Sequence, residues 1–160
     1  MALFDTQAHY DSGGFNADRH DVLSALPEGN VALVVNPGCD LPSSRTAVEL
    51  AERYPYVYAA VGIHPSDCAG TGEAEYEALR ELAKHEKVVA IGEIGLDYYW
   101  EDNPPKEFQQ QVLRRQIELA LELDLPVIIH DREAHGAFML ISGTLKPSAL
   151  NISLIVITSG

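Results

Sequence analysis

The chain is poor in three features that usually announce a function class. It has two cysteines in 160 residues, Cys39 and Cys68. They are too few and too far apart for a disulfide framework or a paired-cysteine zinc site, so a reducing compartment, the cytoplasm, is the expected setting. Basic residues are scarce as well: 11 Lys and Arg stand against 24 Asp and Glu, a formal charge of −13. That balance argues against a broad basic face that tracks nucleic acid along its phosphates, and leaves room only for local, metal-assisted phosphate binding. No apolar run is long enough to span a bilayer. The start, with Asp5 among its first residues, lacks the basic-then-apolar pattern of a signal peptide.

Against these absences stands one recurrent pattern. Four apolar runs stop abruptly at a residue of metal-ligand type: Leu3-Phe4 before Asp5-Thr6-Gln7-Ala8-His9, Val61-Gly62-Ile63 before His64, Val88 to Gly92 before Glu93, and Val127-Ile128-Ile129 before His130. Parallel strands in an α/β fold point the same way, so polar residues at successive carboxyl ends gather at one mouth, where ligands bind. The runs are continuous rather than alternating, which predicts strands buried on both faces beneath helices.

Reading along the chain, strands are expected at Ala2–Phe4, Val31–Val35, Tyr56–Ile63, Lys87–Ile91 and Val127–Ile129, with Ile152–Thr158 as a possible sixth. Helices are expected at Ala17–Leu26, Ser43–Arg53, Glu73–His85 and Lys106–Leu123, the second capped by the Ser43 or Ser44 hydroxyl and the last opened by Pro104-Pro105. A closed eight-stranded barrel takes about 250 residues. The expected fold is therefore α/β, an incomplete TIM-type (β/α) barrel of five to six parallel strands. After Gly136 the only charged residue is Lys146. Residues 1–136 accordingly read as the partial barrel and residues 137–160 as a divergent apolar tail, a truncated ending that leaves strand edges open to self-association.

Each candidate side chain has two readings when taken alone. His9 is a capping histidine or a ligand, although Gln7 and His9, two apart in extended backbone, project from one face. Glu93 is a hydrogen-bonded structural carboxylate or a metal ligand, since burying it unpaired would be costly. His130 is a core histidine or a ligand. Arg132 grips a phosphate through two parallel hydrogen bonds, or is a surface or Asp131-paired arginine. Tyr98, Tyr99 and Trp100 offer a stacking platform for a nucleobase or pack on the next helix. His20, His85 and His135 read as ordinary.

Taken in order, Phe4-Asp5-Thr6-Gln7-Ala8-His9, Gly62-Ile63-His64-Pro65, Gly92-Glu93-Ile94-Gly95-Leu96-Asp97-Tyr98 and His130-Asp131-Arg132-Glu133-Ala134-His135 resemble the TatD family of metal-dependent deoxyribonucleases. The resemblance covers residues 1 to about 136, the first five strands of that family's barrel. It implies a metal-dependent hydrolase that cleaves DNA, or another phosphoester, with metal-activated water, and a divalent Mg, Mn or Zn cofactor. The implied metal ligands are Gln7, His9, Glu93 and His130, with Glu93 also catalytic and with His64 and Arg132 lining the substrate pocket. Gln7 stands where the family carries a histidine, so weaker metal affinity is expected. The family's later His and Asp ligands find no counterpart, because no His, Asp or Glu follows His135. A binding fragment without turnover, and a small-molecule metallohydrolase on the same scaffold, are the alternatives.

Overall fold

In a computed structural model of the chain, which describes residues 2–144 and 154–157, strands and helices alternate without exception. The strands are β1 (Leu3–Asp5), β2 (Val31–Pro37), β3 (Val57–Val61), β4 (Val88–Asp97), β5 (Val127–Arg132) and β6 (Leu154–Ile157). The helices are α1 (Arg19–Ala25), α2 (Leu41–Arg53), α3 (Glu73–Leu82), α4 (Lys106–Leu123) and α5 (His135–Thr144). Neighbouring strands pair in parallel in the order β1-β2-β3-β4-β5-β6. Each crossover thus advances the sheet by one strand in the same direction, the winding that curls a parallel sheet into a partial barrel with helices outside. The expected fold class holds.

Side-chain alternation divides the sheet into two layers. Val34, Ala59, Ile91 and Ile129 belong to the large core that includes Ala47, Leu50, Leu79 and Val112 from the helices. Their neighbours Val35, Ala60, Ala90 and Ile128 form a separate small cluster on the other face. Continuing two residues along the same face leads from Ile128 to His130, and four residues lead from Ala60 to His64. The thin inner layer is the floor on which the polar residues stand.

Several boundaries differ from the sequence expectation for definite reasons. β1 is exposed throughout, with Leu3 at 52% and Phe4 at 59%, so this strand is not buried on both faces. β4 does not end at Ile91 but runs through Glu93 to Asp97. Gly92 and Gly95, which look like stops, permit close approach instead. Gly95 has φ of +155°, and a Cβ there would lie 1.9 Å from the His130 carbonyl oxygen. The α2 cap is Asp40, which accepts from the Ser43 amide (2.8 Å), while the Ser43 hydroxyl accepts from the Asp40 amide (2.9 Å) in return. Ser44 is turned to the sheet, where its hydroxyl meets both N–H and C=O of Gly62.

Two glutamines on α4, buried on its apolar face, pin the strand ends that carry the polar residues. The Gln116 amide accepts from Ile63 N–H (2.8 Å) and donates to Ile63 C=O (3.0 Å). Two turns earlier, Gln109 makes the same pair of bonds to Asp97, at 2.9 and 3.0 Å. Replacing Gln116 by Leu would strand both polar groups of Ile63 in the core. Each such orphan costs roughly 1–3 kcal/mol, so Gln116→Leu is expected to lower stability by about 2 kcal/mol or more in urea denaturation; an unchanged midpoint would refute this clamp.

Candidate metal centre

Five segments converge on an open cleft of about 700 Å³ at the carboxyl ends of the strands. The loop after β1 brings Gln7 and His9. It is tied to β2 by the Ala8 amide on Val35 C=O (3.2 Å) and by the Tyr10 amide on the Asn36 side chain (2.7 Å), whose NH₂ group holds Asp11 (2.7 Å). The turn after β2 brings Cys39 and locks the next two strands. Gly38 C=O accepts from Glu93 N–H (2.8 Å), and Cys39 C=O accepts from His64 N–H (2.8 Å). β3 delivers His64, whose Nδ1 accepts from the Ser66 amide (3.2 Å). β4 delivers Glu93, and β5 delivers His130.

Glu93 is 3% exposed and lies at the centre. Its Oε2 is 3.3 Å from His9 Nε2 and its Oε1 is 3.1 Å from His130 Nδ1. His130 Nε2 faces Asp97 Oδ2 at 3.1 Å, and the His64 ring stands edge-on to the His130 ring with centroids 4.4 Å apart. Burial on its own would raise the Glu93 carboxyl, but hydrogen bonds from His130, His9 and Gln7 and the imidazole charge outweigh it and hold the group well below the usual carboxylate range. The partners respond in kind. The hydrogen bond to Glu93 raises His9. Burial opposes a raised His130, and its bonds to Glu93 and Asp97 prevail. His64 has no such partner, so burial, aided by the nearby His130, lowers it to about 4. Burial and the surrounding carboxylates push the Cys39 thiol up to about 12.

Among the described residues, two groups place one ligand atom per residue within 4.8 Å of one another: His9, Cys39 and Glu93, and His64, Glu93 and His130. Glu93 belongs to both. The donor types suit a divalent cation: imidazole nitrogens, a carboxylate and a thiol around an otherwise costly buried charge.

Of the residues singled out from sequence, Gln7, His9, His64, Glu93 and His130 all line this cleft. Arg132 stands apart, its guanidinium 4.0 Å from the Tyr99 ring centre and 5.4 Å from that of Trp100. Tyr98 instead packs against α4, accepting from Gln110 (2.9 Å), whereas Tyr99 and Trp100 are exposed. His135, read as ordinary, pairs with Asp131 at 2.9 Å, the carboxylate that one reading assigned to Arg132. Asp97, Asn36 and Cys39 were not anticipated. Asp97 carried a signal in sequence, an acidic residue four beyond Glu93 on the same run. Cys39 carried none beyond its place after a strand.

The family model described as "TatD related DNase" matches residues 4–155. The chain is 45% identical over 132 residues to the Bacillus subtilis protein named "Uncharacterized metal-dependent hydrolase YabD", covering 82% of this chain and 51% of that protein. It is 34% identical over 139 residues to the Salmonella typhimurium "3'-5' ssDNA/RNA exonuclease TatD", covering 87% and 53%. Among solved structures, the TatD homologue YjjV from Escherichia coli superposes with a TM-score of 0.79 at 34% identity, over 86% of this chain and 54% of that one. A TatD family hydrolase from Entamoeba histolytica, 23% identical, matches in fold with a TM-score of 0.79, over 89% and 55%. The chain thus spans about half the length of the curated relatives it matches. With the family model matched along nearly the whole described sheet, the chain belongs to the TatD-related DNase family.

Proposed function

We propose that this chain carries the core of a divalent-metal site, formed by Gln7, His9, Glu93 and His130, that serves hydrolysis of phosphodiester bonds in single-stranded DNA or another phosphoester. The observation that carries the reading is Glu93, a buried carboxylate with imidazoles on both oxygens at the mouth of a parallel sheet. The exonuclease name borne by the Salmonella relative supports a nucleic-acid substrate. A divalent cation held there would supply positive charge that polarises a phosphoryl oxygen and acidifies water.

The remaining roles belong to the chain's own groups. Glu93 would anchor the ion, and its half-buried amide and imidazole neighbours keep the carboxylate ionised and oriented. His64, held neutral by burial and with Nδ1 already accepting from the Ser66 amide, carries its proton on Nε2 and can donate a hydrogen bond to substrate at the cleft wall. Arg132, two residues beyond His130, presents a planar cation backed by Tyr99 and Trp100 that suits a phosphate at the rim. A second reading, binding of metal or nucleotide without turnover, is favoured by Gln7, whose neutral amide is a weaker donor than imidazole. An uncharged ester or amide substrate would make it a small-molecule metallohydrolase, and a substrate panel separates that case.

Three outcomes test this reading. Incubation of a labelled single-stranded oligonucleotide with Mn²⁺ should give cleavage that Glu93→Ala lowers about 100-fold or more, because even partners outside the ligand set are worth 10–100-fold; equal product from both proteins rejects hydrolysis at this site. The hydrogen bond to Glu93 raises His9, and bonds to Glu93 and Asp97 raise His130 against burial, so a cation taking a ring nitrogen competes with a more tightly held proton. Calorimetry with Mn²⁺ at pH 7 should therefore give enthalpies that depend on the buffer's ionisation heat, with affinity falling as pH drops through the raised histidine values. Finally, Gln7→His should tighten Mn²⁺ binding by about tenfold, the scale on which ligand surroundings move metal affinity; unchanged binding removes position 7 from the ligand set.

A further inference from the structure

The two candidate groups at the cleft share Glu93 but differ in chemical softness. His64, Glu93 and His130 offer only nitrogen and oxygen, while His9, Cys39 and Glu93 add a sulfur. Thiolates favour zinc-like ions, whereas magnesium and manganese favour oxygen donors. We propose that Cys39 is a thiolate ligand and that the His9–Cys39–Glu93 group selects a thiophilic divalent ion such as Zn²⁺ or Co²⁺. This inference rests on the metal site put forward above and names which ion its first half takes.

Backbone bonds, not chance proximity, hold the cysteine at this position. The Cys39 N–H donates to the Ser43 hydroxyl (2.8 Å) inside the capping box that starts α2, so the helix start fixes the residue. Its carbonyl takes the His64 amide, and the preceding carbonyl, of Gly38, takes the Glu93 amide. Cys39 is thereby locked in register with the strand that supplies the shared carboxylate. Gln7, also in the cleft, offers only a neutral amide oxygen, whereas the thiol, once deprotonated, adds a negative charge beside Glu93. One imidazole, one carboxylate and one thiolate are donor types that suit a four-coordinate zinc-like ion, with the Gln7 oxygen or a water available as the fourth donor. On binding, the S–H bond is lost, a sulfur–metal bond forms, and the proton passes to solvent.

Cobalt gives a readout independent of turnover. Adding Co²⁺ to the 160-residue chain should produce visible ligand-field bands together with a near-ultraviolet sulfur-to-cobalt charge-transfer band. Since the chain has two cysteines and Cys68 is fully buried in the main core, loss of that band in Cys39→Ser assigns it. In competition with a chromophoric chelator, Cys39→Ser should weaken Zn²⁺ binding about tenfold or more while changing Mn²⁺ affinity less than about twofold. Retained Mn²⁺ binding also shows that the variant is folded, and the wild-type band needs no variant at all. Ligand-field bands without charge transfer, a band that survives Cys39→Ser, or equal losses of Zn²⁺ and Mn²⁺ affinity overturn the cysteine ligand and leave the metal site standing. No binding of Co²⁺, Zn²⁺ or Mn²⁺ overturns both.

Discussion

The cleft of this molecule is arranged around one problem, a carboxylate removed from water. An isolated buried charge is among the most expensive groups a fold can contain, and it survives only when paired and hydrogen-bonded. Glu93 solves this with His9 and His130 on its two oxygens and the Gln7 amide beside them. The carboxylate favours protons on the two imidazoles, which is why His9 and His130 are both raised. A divalent ion would supply the same charge at the same point, and so could take the place of those protons.

That convergence depends on how closely the strands approach. The inner face of the sheet is built from small and branched residues, Val35, Ala60, Ala90 and Ile128. Where the strands draw together beneath the site, a Cβ on Gly62 would come within 2.8 Å of the Gly92 carbonyl carbon. Larger side chains there would spread the sheet and move His64 and Glu93 apart. The helices complete the positioning from outside: Ser44, Gln116 and Gln109 bind the backbone of Gly62, Ile63 and Asp97, the residues that flank the polar ends. Rigid backbone, clamped by buried side chains, holds the functional groups of the strands, as a preorganised site requires.

Much of this was legible in the amino-acid sequence, because strand order and strand ends leave local marks. Continuous apolar runs ending at His64, Glu93 and His130 identified parallel strands and the mouth, and the Gln7 and His9 spacing placed both on one face. The limits of α4 were readable from Pro104-Pro105 and from its helical spacing. Long-range contacts were not. Gln109 and Gln116 sit at helical spacing among Val112, Leu113, Ile117 and Ala120, and nothing local distinguishes a polar clamp from a gap in an apolar stripe. The strand end expected at Ile91 failed because Gly92 and Gly95 carry β4 onward and admit the neighbouring backbone of Ile128 and His130. The buried character assumed for β1 failed because the strand lies at the sheet's edge, where one neighbour is missing.

His130 shows how the site reconciles stability with binding. Both ring nitrogens face carboxylates, Nδ1 toward Glu93 and Nε2 toward Asp97, an arrangement that only a doubly protonated ring satisfies fully. A cation taking one nitrogen would displace one proton and leave the other N–H still held by its carboxylate. Retaining one such bond fixes the tautomer and the ring plane, which is the role carboxylates play behind metal-bound histidines. Asp97 is suited to that task because it is itself fixed: its backbone is clamped by Gln109, and its Oδ1 accepts from the Tyr99 amide at 3.0 Å. The ring therefore need not reorient when charge at Glu93 changes from protons to metal, and the site can exchange one for the other without repacking the strand beneath it.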